Sequence, residues 1–180
     1  LDKAILDALL RALDMDVFTG LQQNVAGLDA RLTPDIDDAV IARFLQGRAP
    51  VSRILVRHTV GMLDPLDELA TINATTGCRY FKIKLCGDPK TDRERLSAIT
   101  ATLDRLAIDY RLTLDANEQY PSHTPLAALI EALLNDEAFE SVVQRLLYIE
   151  QPLPREITFD APLGDLGKSF AFIIDEADSS

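Results

Sequence analysis

Positive charge is scarce in this sequence. Lysine and arginine number 18 against 29 aspartates and glutamates, a formal net charge of −11. Nucleic-acid binding needs clustered Lys and Arg to neutralise phosphates, and an anionic membrane surface asks for the same. Neither partner is expected. Long hydrophobic runs are missing too, since no apolar stretch approaches the roughly 18 residues that a membrane span needs. Residues 1–17 read as an amphipathic helix and not as a secretory signal, because acidic residues interrupt the apolar positions. Cysteine is limited to Cys78 and Cys86. If the chain between them is extended, they stand about 26 Å apart, beyond the reach of a disulfide. They lack the spacing of a zinc site, so a reducing compartment, the cytoplasm, is expected. No G-x-x-x-x-G-K-[ST] loop is present, so the letters "DEAD" at 175–178 do not mark a helicase.

What is present suits a globular fold. Hydrophobic residues make up 47% of the 180, enough for one sizeable core. Residues 3–14 carry apolar positions at helical spacing, 19–38 read as a loop-rich connection, and 37–45 as a short helix closed by Gly47. From residue 51 the character changes. Strands are predicted at 51–60, 79–85, 110–117, 145–152 and 170–177, with helices at 65–75, 91–106, 125–139 and 163–168 between them. Thr91 with Glu94 has the pattern of a capping box. Alternating strands and helices predict βαβ units and a parallel sheet.

The polar residues of these strands fall at their C-terminal ends. Lys84, Asp115, Glu150 and Asp175 follow one another at intervals of roughly 25 to 35 residues, one βα unit each. Parallel strands gather these ends on one rim, which is where barrel enzymes build active sites. Three carboxylates crowded there repel one another, and a divalent cation relieves the repulsion. Oxygen-only ligands suit Mg²⁺ or Mn²⁺ better than zinc. In "YFKIKLCG" (80–87), Lys82 and Lys84 share one strand face while Phe81, Ile83 and Leu85 take the other. Neighbouring ammonium groups lower each other's pKa, and a lysine tuned toward neutrality can serve as a general base. Tyr148 lies on the same strand face as Glu150. His58 ends the first predicted strand and could face a substrate, although a structural role is the commoner one for such a histidine. Arg57 and Arg79 read by default as surface residues.

The ordered series "KIK", "LDAN", "IEQP" and "DEAD" on successive strands resembles the enolase superfamily, in its mandelate-racemase and muconate-lactonizing branch. The resemblance implies Lys84 as the base that abstracts a proton and Lys82 as its electrostatic partner. It implies Asp115, Glu150 and Asp175 as metal ligands, with Asn117 and Glu176 in the surrounding shell. The cofactor implied is Mg²⁺, with Mn²⁺ as a substitute. The substrate implied is a small carboxylate acid whose α-proton is removed to leave an enediolate, chemistry in which a lysine base works beside Mg²⁺. Racemisation or epimerisation of an α-substituted acid or dipeptide is the expected outcome, with dehydration or cycloisomerisation as alternatives. The resemblance also implies a homo-oligomer.

A complete barrel of this type has eight strands and about 250 residues. Five strands are predicted here, so the fold expected is a partial TIM-type (β/α) barrel, truncated at both ends. Residues 1–50 would be a helical and loop segment leading into it, and 51–180 its first five βα units. A second alternative follows from this expectation: a catalytically incomplete fragment that binds metal without turnover.

Overall fold

In the computed structural model, residues 2–31, 35–160 and 162–179 are described. The chain divides into two compact units, residues 1–54 and 55–180.

The first unit is helical. Helix α1 spans Asp2–Ala12, α2 Val17–Gln22 and α3 Asp38–Gln46. Helix α2 lies partly in the stretch expected to be loop. Its start is set by Asp16, whose carboxylate accepts from the backbone N–H groups of Phe18 and Thr19, satisfying donors that a first turn leaves open. Asp37 caps α3 in the same way through Val40 N. Gly20 faces Leu10, and a Cβ at Gly20 would stand 2.2 Å from Leu10 Cδ2. The missing side chain therefore lets α1 and α2 close on each other.

The second unit is a five-stranded sheet with helical crossovers. Its strands are β1 (Arg57–Val60), β2 (Tyr80–Lys84), β3 (Arg111–Asp115), β4 (Leu146–Glu150) and β5 (Phe172–Ile173). They lie in the order β1-β2-β3-β4-β5, and every adjacent pair is parallel. Strand order that follows chain order is the winding of a (β/α) barrel, in contrast to the reversal of doubly wound sheets. The fold is thus the partial TIM-type barrel expected.

Between the strands run α4 (Glu68–Thr76), α5 (Pro89–Arg105), α6 (His123–Asn135), α7 (Glu140–Arg145), α8 (Arg155–Thr158) and α9 (Leu166–Ser169). Phe81, Ile83, Leu112, Leu114 and Ile149 point to the helix side of the sheet. There they join Leu96, Ile99 and Leu103 of α5 and Leu126, Leu129 and Leu133 of α6 in one buried core.

Local chemistry moves several boundaries. Residues 51–56 stay outside the sheet, and Ile54, Leu55 and Val56 are exposed. Helix α5 begins at Pro89, a residue suited to a first turn because it has no N–H to satisfy. Its cap is Asp88, which accepts from Thr91 N at 2.8 Å, so Thr91 is inside the helix and does not cap it. The helix expected over 125–139 stops at Asn135, because Asp136 starts a short 3-10 turn through Ala138 N. Strand β5 has only two residues, which leaves Asp175 beyond it and Glu176 in a 3-10 turn spanning Glu176–Ser179.

Candidate active site

Register decides which side chains meet. Lys84 pairs with Asp115, and Asp115 with Glu150. Two residues toward the N-termini, Thr59, Lys82, Thr113 and Tyr148 form the next row on the same face. Alternation puts all of these on the face away from the helices. On β1 to β4 these rows carry polar side chains, and the first row ends on β5 at Ile173, whereas the reverse face is the hydrophobic core.

Asp115 is the centre of the cluster. Its carboxylate is fully buried, and Lys82 Nζ and Lys84 Nζ each lie 2.6 Å from its Oδ2. Lys82 also donates to Glu150 Oε1 at 3.0 Å, so its ammonium bridges the two strand-end carboxylates. Lys84 donates in addition to Asn117 Oδ1, and Asn117 Nδ2 donates to Glu176 Oε1 at 2.7 Å. One connected network therefore runs from β4 through both lysines to the turn after β5. Lys84 is the more accessible lysine, with a side chain 30% exposed against 15% for Lys82.

The charges tune one another. Burial alone would lower the Lys82 pKa, but attraction from Asp115 and Glu150 outweighs it and raises the value above that of an ordinary lysine. This reverses the expectation that the lysine pair would drive Lys82 toward neutrality. The two carboxylates beside it matter more than the second ammonium. Burial works to raise the Asp115 pKa, and the paired lysines overcome it, holding the carboxyl below its usual value.

Arg57, expected at the surface, belongs to this face. Its guanidinium Nη1 donates to Thr113 Oγ1 at 3.0 Å and to Tyr148 Oη at 2.5 Å, and lies 3.5 Å from Glu150 Oε2. Tyr148 is thus held next to Glu150 by Arg57, under whose charge its ring also lies. His58 sits on the opposite face. It pairs in register with Phe81 and meets that ring edge-on at 6.4 Å. Sequence alternation alone cannot decide whether Arg57 or His58 looks inward, and the pairing of Arg57 with Tyr80 settles it.

Asp92, Thr100, Thr113 and Gln151 are buried polar residues that sequence reasoning did not single out. Asp92, in the first turn of α5, accepts from Cys86 N, Gly87 N and Tyr120 Oη. It fastens the loop after β2 to the loop after β3. Gln151, directly after Glu150, is fully buried and bonded at both ends of its amide. The signal for Gln151 was its place inside "IEQP", while Asp92, well past "YFKIKLCG" in the first turn of the next helix, had none. Cys78 and Cys86 are both free thiols.

The donor set suits a hard divalent cation. Asp115 and Glu150 offer carboxylate oxygens only, and Glu150 Oε2 is a buried oxygen that accepts no hydrogen bond. Asp175 is exposed, and its backbone N–H donates to Gln151 Oε1 at 2.9 Å. Among the described residues, no three His, Cys, Asp or Glu side chains are grouped so as to hold one metal. The carboxylates that the sheet brings side by side are Asp115 and Glu150, and Lys82 bridges them.

No protein-family model and no curated protein sequence matches the chain. Solved structures do. A dipeptide epimerase of Methylococcus capsulatus complexed with a magnesium ion aligns with 69% of this chain and 33% of its own, at 26% identity and a TM-score of 0.50. An O-succinylbenzoate synthase of Thermosynechococcus elongatus BP-1, with magnesium in its active site, aligns over 69% and 36% at 23% identity and a TM-score of 0.50. A muconate lactonizing enzyme of Pseudomonas putida aligns over 76% and 35%, at 17% identity and a TM-score of 0.53. The chain spans about a third of the length of each of these structures. Among the described residues, no helix is long and apolar enough to cross a membrane. The parallel strand order, the four motifs at successive strand ends and the solved structures that share this fold identify the chain as part of an enolase-superfamily barrel.

Proposed function

We propose that this chain carries the proton-abstracting side of an enolase-type active site, acting on the α-proton of a small carboxylic acid. The observation that carries the reading is the convergence of Lys82 and Lys84 on a single oxygen of Asp115, with Glu150 in register beside it. Asp115 and Glu150, with Asp175 as third ligand, would hold Mg²⁺ or Mn²⁺, which would supply positive charge to offset the carboxylate and the developing enediolate. Lys84 is the base. It is the more exposed of the two lysines and stands at the rim of the sheet, the position from which a side chain would reach a substrate's α-proton. Lys82 stays protonated, held so by Asp115 and Glu150, and places a fixed cation beside the enediolate oxygens. Asn117 orients Lys84 by accepting one of its protons, and Glu176 holds the Asn117 amide in turn. Arg57 and Tyr148 brace Glu150 from below.

Racemisation or epimerisation of an α-substituted acid or dipeptide is the favoured outcome. The similarity to a dipeptide epimerase at 26% identity supports it. Dehydration and cycloisomerisation begin with the same abstraction and differ in the later step. The test is α-proton exchange in D₂O, followed by NMR with dipeptides and simple α-substituted acids in the presence of Mg²⁺. Exchange that disappears in Lys84→Ala supports the assignment, while exchange unchanged by that substitution sinks it.

A second reading, metal binding without chemistry, is favoured by one observation: the chain spans about a third of the structures it resembles. It predicts Mg²⁺ binding with no exchange on any acid.

A further inference from the structure

Gln151 stands where the residue after a metal-ligand candidate would ordinarily turn into a loop. Its backbone takes a left-handed conformation, φ 36°, which a side chain with a Cβ adopts only when its surroundings enforce it. The surroundings do so through one amide. Gln151 Oε1 accepts from Asp175 N at 2.9 Å and from Ala177 N at 3.1 Å. Its Nε2 donates to Leu153 O at 2.8 Å and to Thr158 Oγ1 at 3.0 Å. Its own backbone N–H reaches Ile173 O at 2.9 Å, the last rung between β4 and β5. The side chain is completely buried.

The two N–H groups that share Gln151 Oε1 flank Glu176, and one of them belongs to Asp175. We infer that Gln151 is a positioning residue for the acidic turn: its amide fixes the backbone that carries Asp175 and Glu176 relative to Glu150, which two-residue β5 is too short to do by strand pairing. A strand carries its side chains to the rim through ladder hydrogen bonds. Strand β5 ends at Ile173, and from there the amide of Gln151 does what the ladder does for Asp115 and Glu150. The positive φ follows, because it turns the Gln151 side chain back across the end of β5 instead of letting it alternate outward. The amide's bonds run to Leu153 O, Thr158 Oγ1, Asp175 N and Ala177 N, so its effect passes through the turn that carries Asp175 and Glu176.

This inference rests on the proposed function for its metal readout, and the experiment separates the two. Amide hydrogen exchange on the chain, resolved by NMR, reads the clamp directly, and Mn²⁺ titration followed by electron paramagnetic resonance reads its consequence. The N–H groups of Asp175 and Ala177 are expected to be protected in the parent chain. In Gln151→Leu that protection is lost, amides of β2 and β3 keep theirs, and the Kd for Mn²⁺ rises about 10- to 100-fold, the usual effect of losing an outer contact to a ligand. Unprotected Asp175 and Ala177 in the parent chain, or a Gln151→Leu variant whose Mn²⁺ Kd stays within twofold of a measurable parent value, would overturn the inference. If the parent chain binds no Mn²⁺, the metal reading fails and the exchange data alone decide the clamp. Should Gln151→Leu not fold, Thr158→Val removes one anchor of Nε2 and should speed exchange at Asp175 and Ala177 several-fold. Unchanged exchange there counts against the clamp.

Discussion

Lys82 and Lys84 share one atom: each Nζ lies 2.6 Å from Asp115 Oδ2. Two cations on one buried oxygen make Asp115 the residue on which the electrostatics of the face depend. Asp115→Asn keeps the shape and removes the charge, leaving both ammonium groups with too little compensation. We expect a loss of about 3 kcal/mol in urea unfolding, in line with breaking a buried ion pair from one side. A loss below about 0.5 kcal/mol, typical of exposed pairs, would show that water already screens the cluster.

The same pair sets a pH window. The Asp115 carboxyl is held below its ordinary 3.8, so its contribution to stability is present above about pH 4 and is lost as pH falls through the depressed value. Lys82 is raised above 10.5, so its contribution is full below that pH and is lost as pH rises through the elevated value. Urea midpoints of the parent chain and Asp115→Asn should therefore differ most on the plateau between and converge as pH falls through the depressed value. A difference that stays undiminished down to the lowest pH at which both chains still fold would remove Asp115 titration as the cause.

Metal should stabilise the folded chain. A ligand that binds only the native state at a hundredfold excess over Kd contributes about 2.7 kcal/mol, which is several degrees in Tm for a chain of this size. Mg²⁺ and Mn²⁺ are expected to raise Tm, and Asp115→Asn and Glu150→Gln each to abolish the rise. Scanning calorimetry with and without metal checks this. An equal rise in both variants would place the ion elsewhere.

The two lysines should separate functionally. Lys84→Ala is expected to lower α-proton exchange by at least about 100-fold, the usual scale for removing a general base, while leaving Mn²⁺ affinity within a fewfold. Lys82→Ala removes the cation that bridges Asp115 and Glu150, so it should tighten Mn²⁺ binding while still slowing exchange. Titration by electron paramagnetic resonance beside the exchange assay distinguishes them. If both variants bind metal alike, the bridge has no bearing on the site.

Asp92 offers a test remote from the chemistry. Replacing it by Ala strands three donors, Cys86 N, Gly87 N and Tyr120 Oη, and should cost about 3 kcal/mol of stability. The Tyr120 hydroxyl, whose pKa is raised first by burial and then by Asp92, would gain access to water. Ultraviolet titration of tyrosine should then find one more ionisable residue in the native state.

Much of this was legible beforehand. "KIK", "LDAN" and "IEQP" could be read because β2 and β3 alternate cleanly between a hydrocarbon face and a polar one, and β4 does so from Tyr148 onward, past the register shift opposite Leu112 and Thr113. Asp175 was expected on a strand because "FAFIID" is apolar enough to be one, yet pairing with β4 stops after Ile173. Arg57 and His58 are adjacent, and only the partner strand decides which of the two looks inward. Asp92 and Gln151 looked ordinary because what marks them is burial and the backbone amides they serve, neither of which a composition or a spacing records.

The row Lys84, Asp115, Glu150 across three strands also guards assembly. Sliding any one of them by a single residue would swap its two faces. A carboxylate or an ammonium would then be thrust among Leu96, Ile99 and Leu126, and its partners would be left facing a leucine. Such a mispaired sheet is penalised twice, once on each side. The charges that serve the site thereby act as a proofreading device during folding: they make the wrong alignments too unfavourable to persist and leave the chain one way to close its sheet.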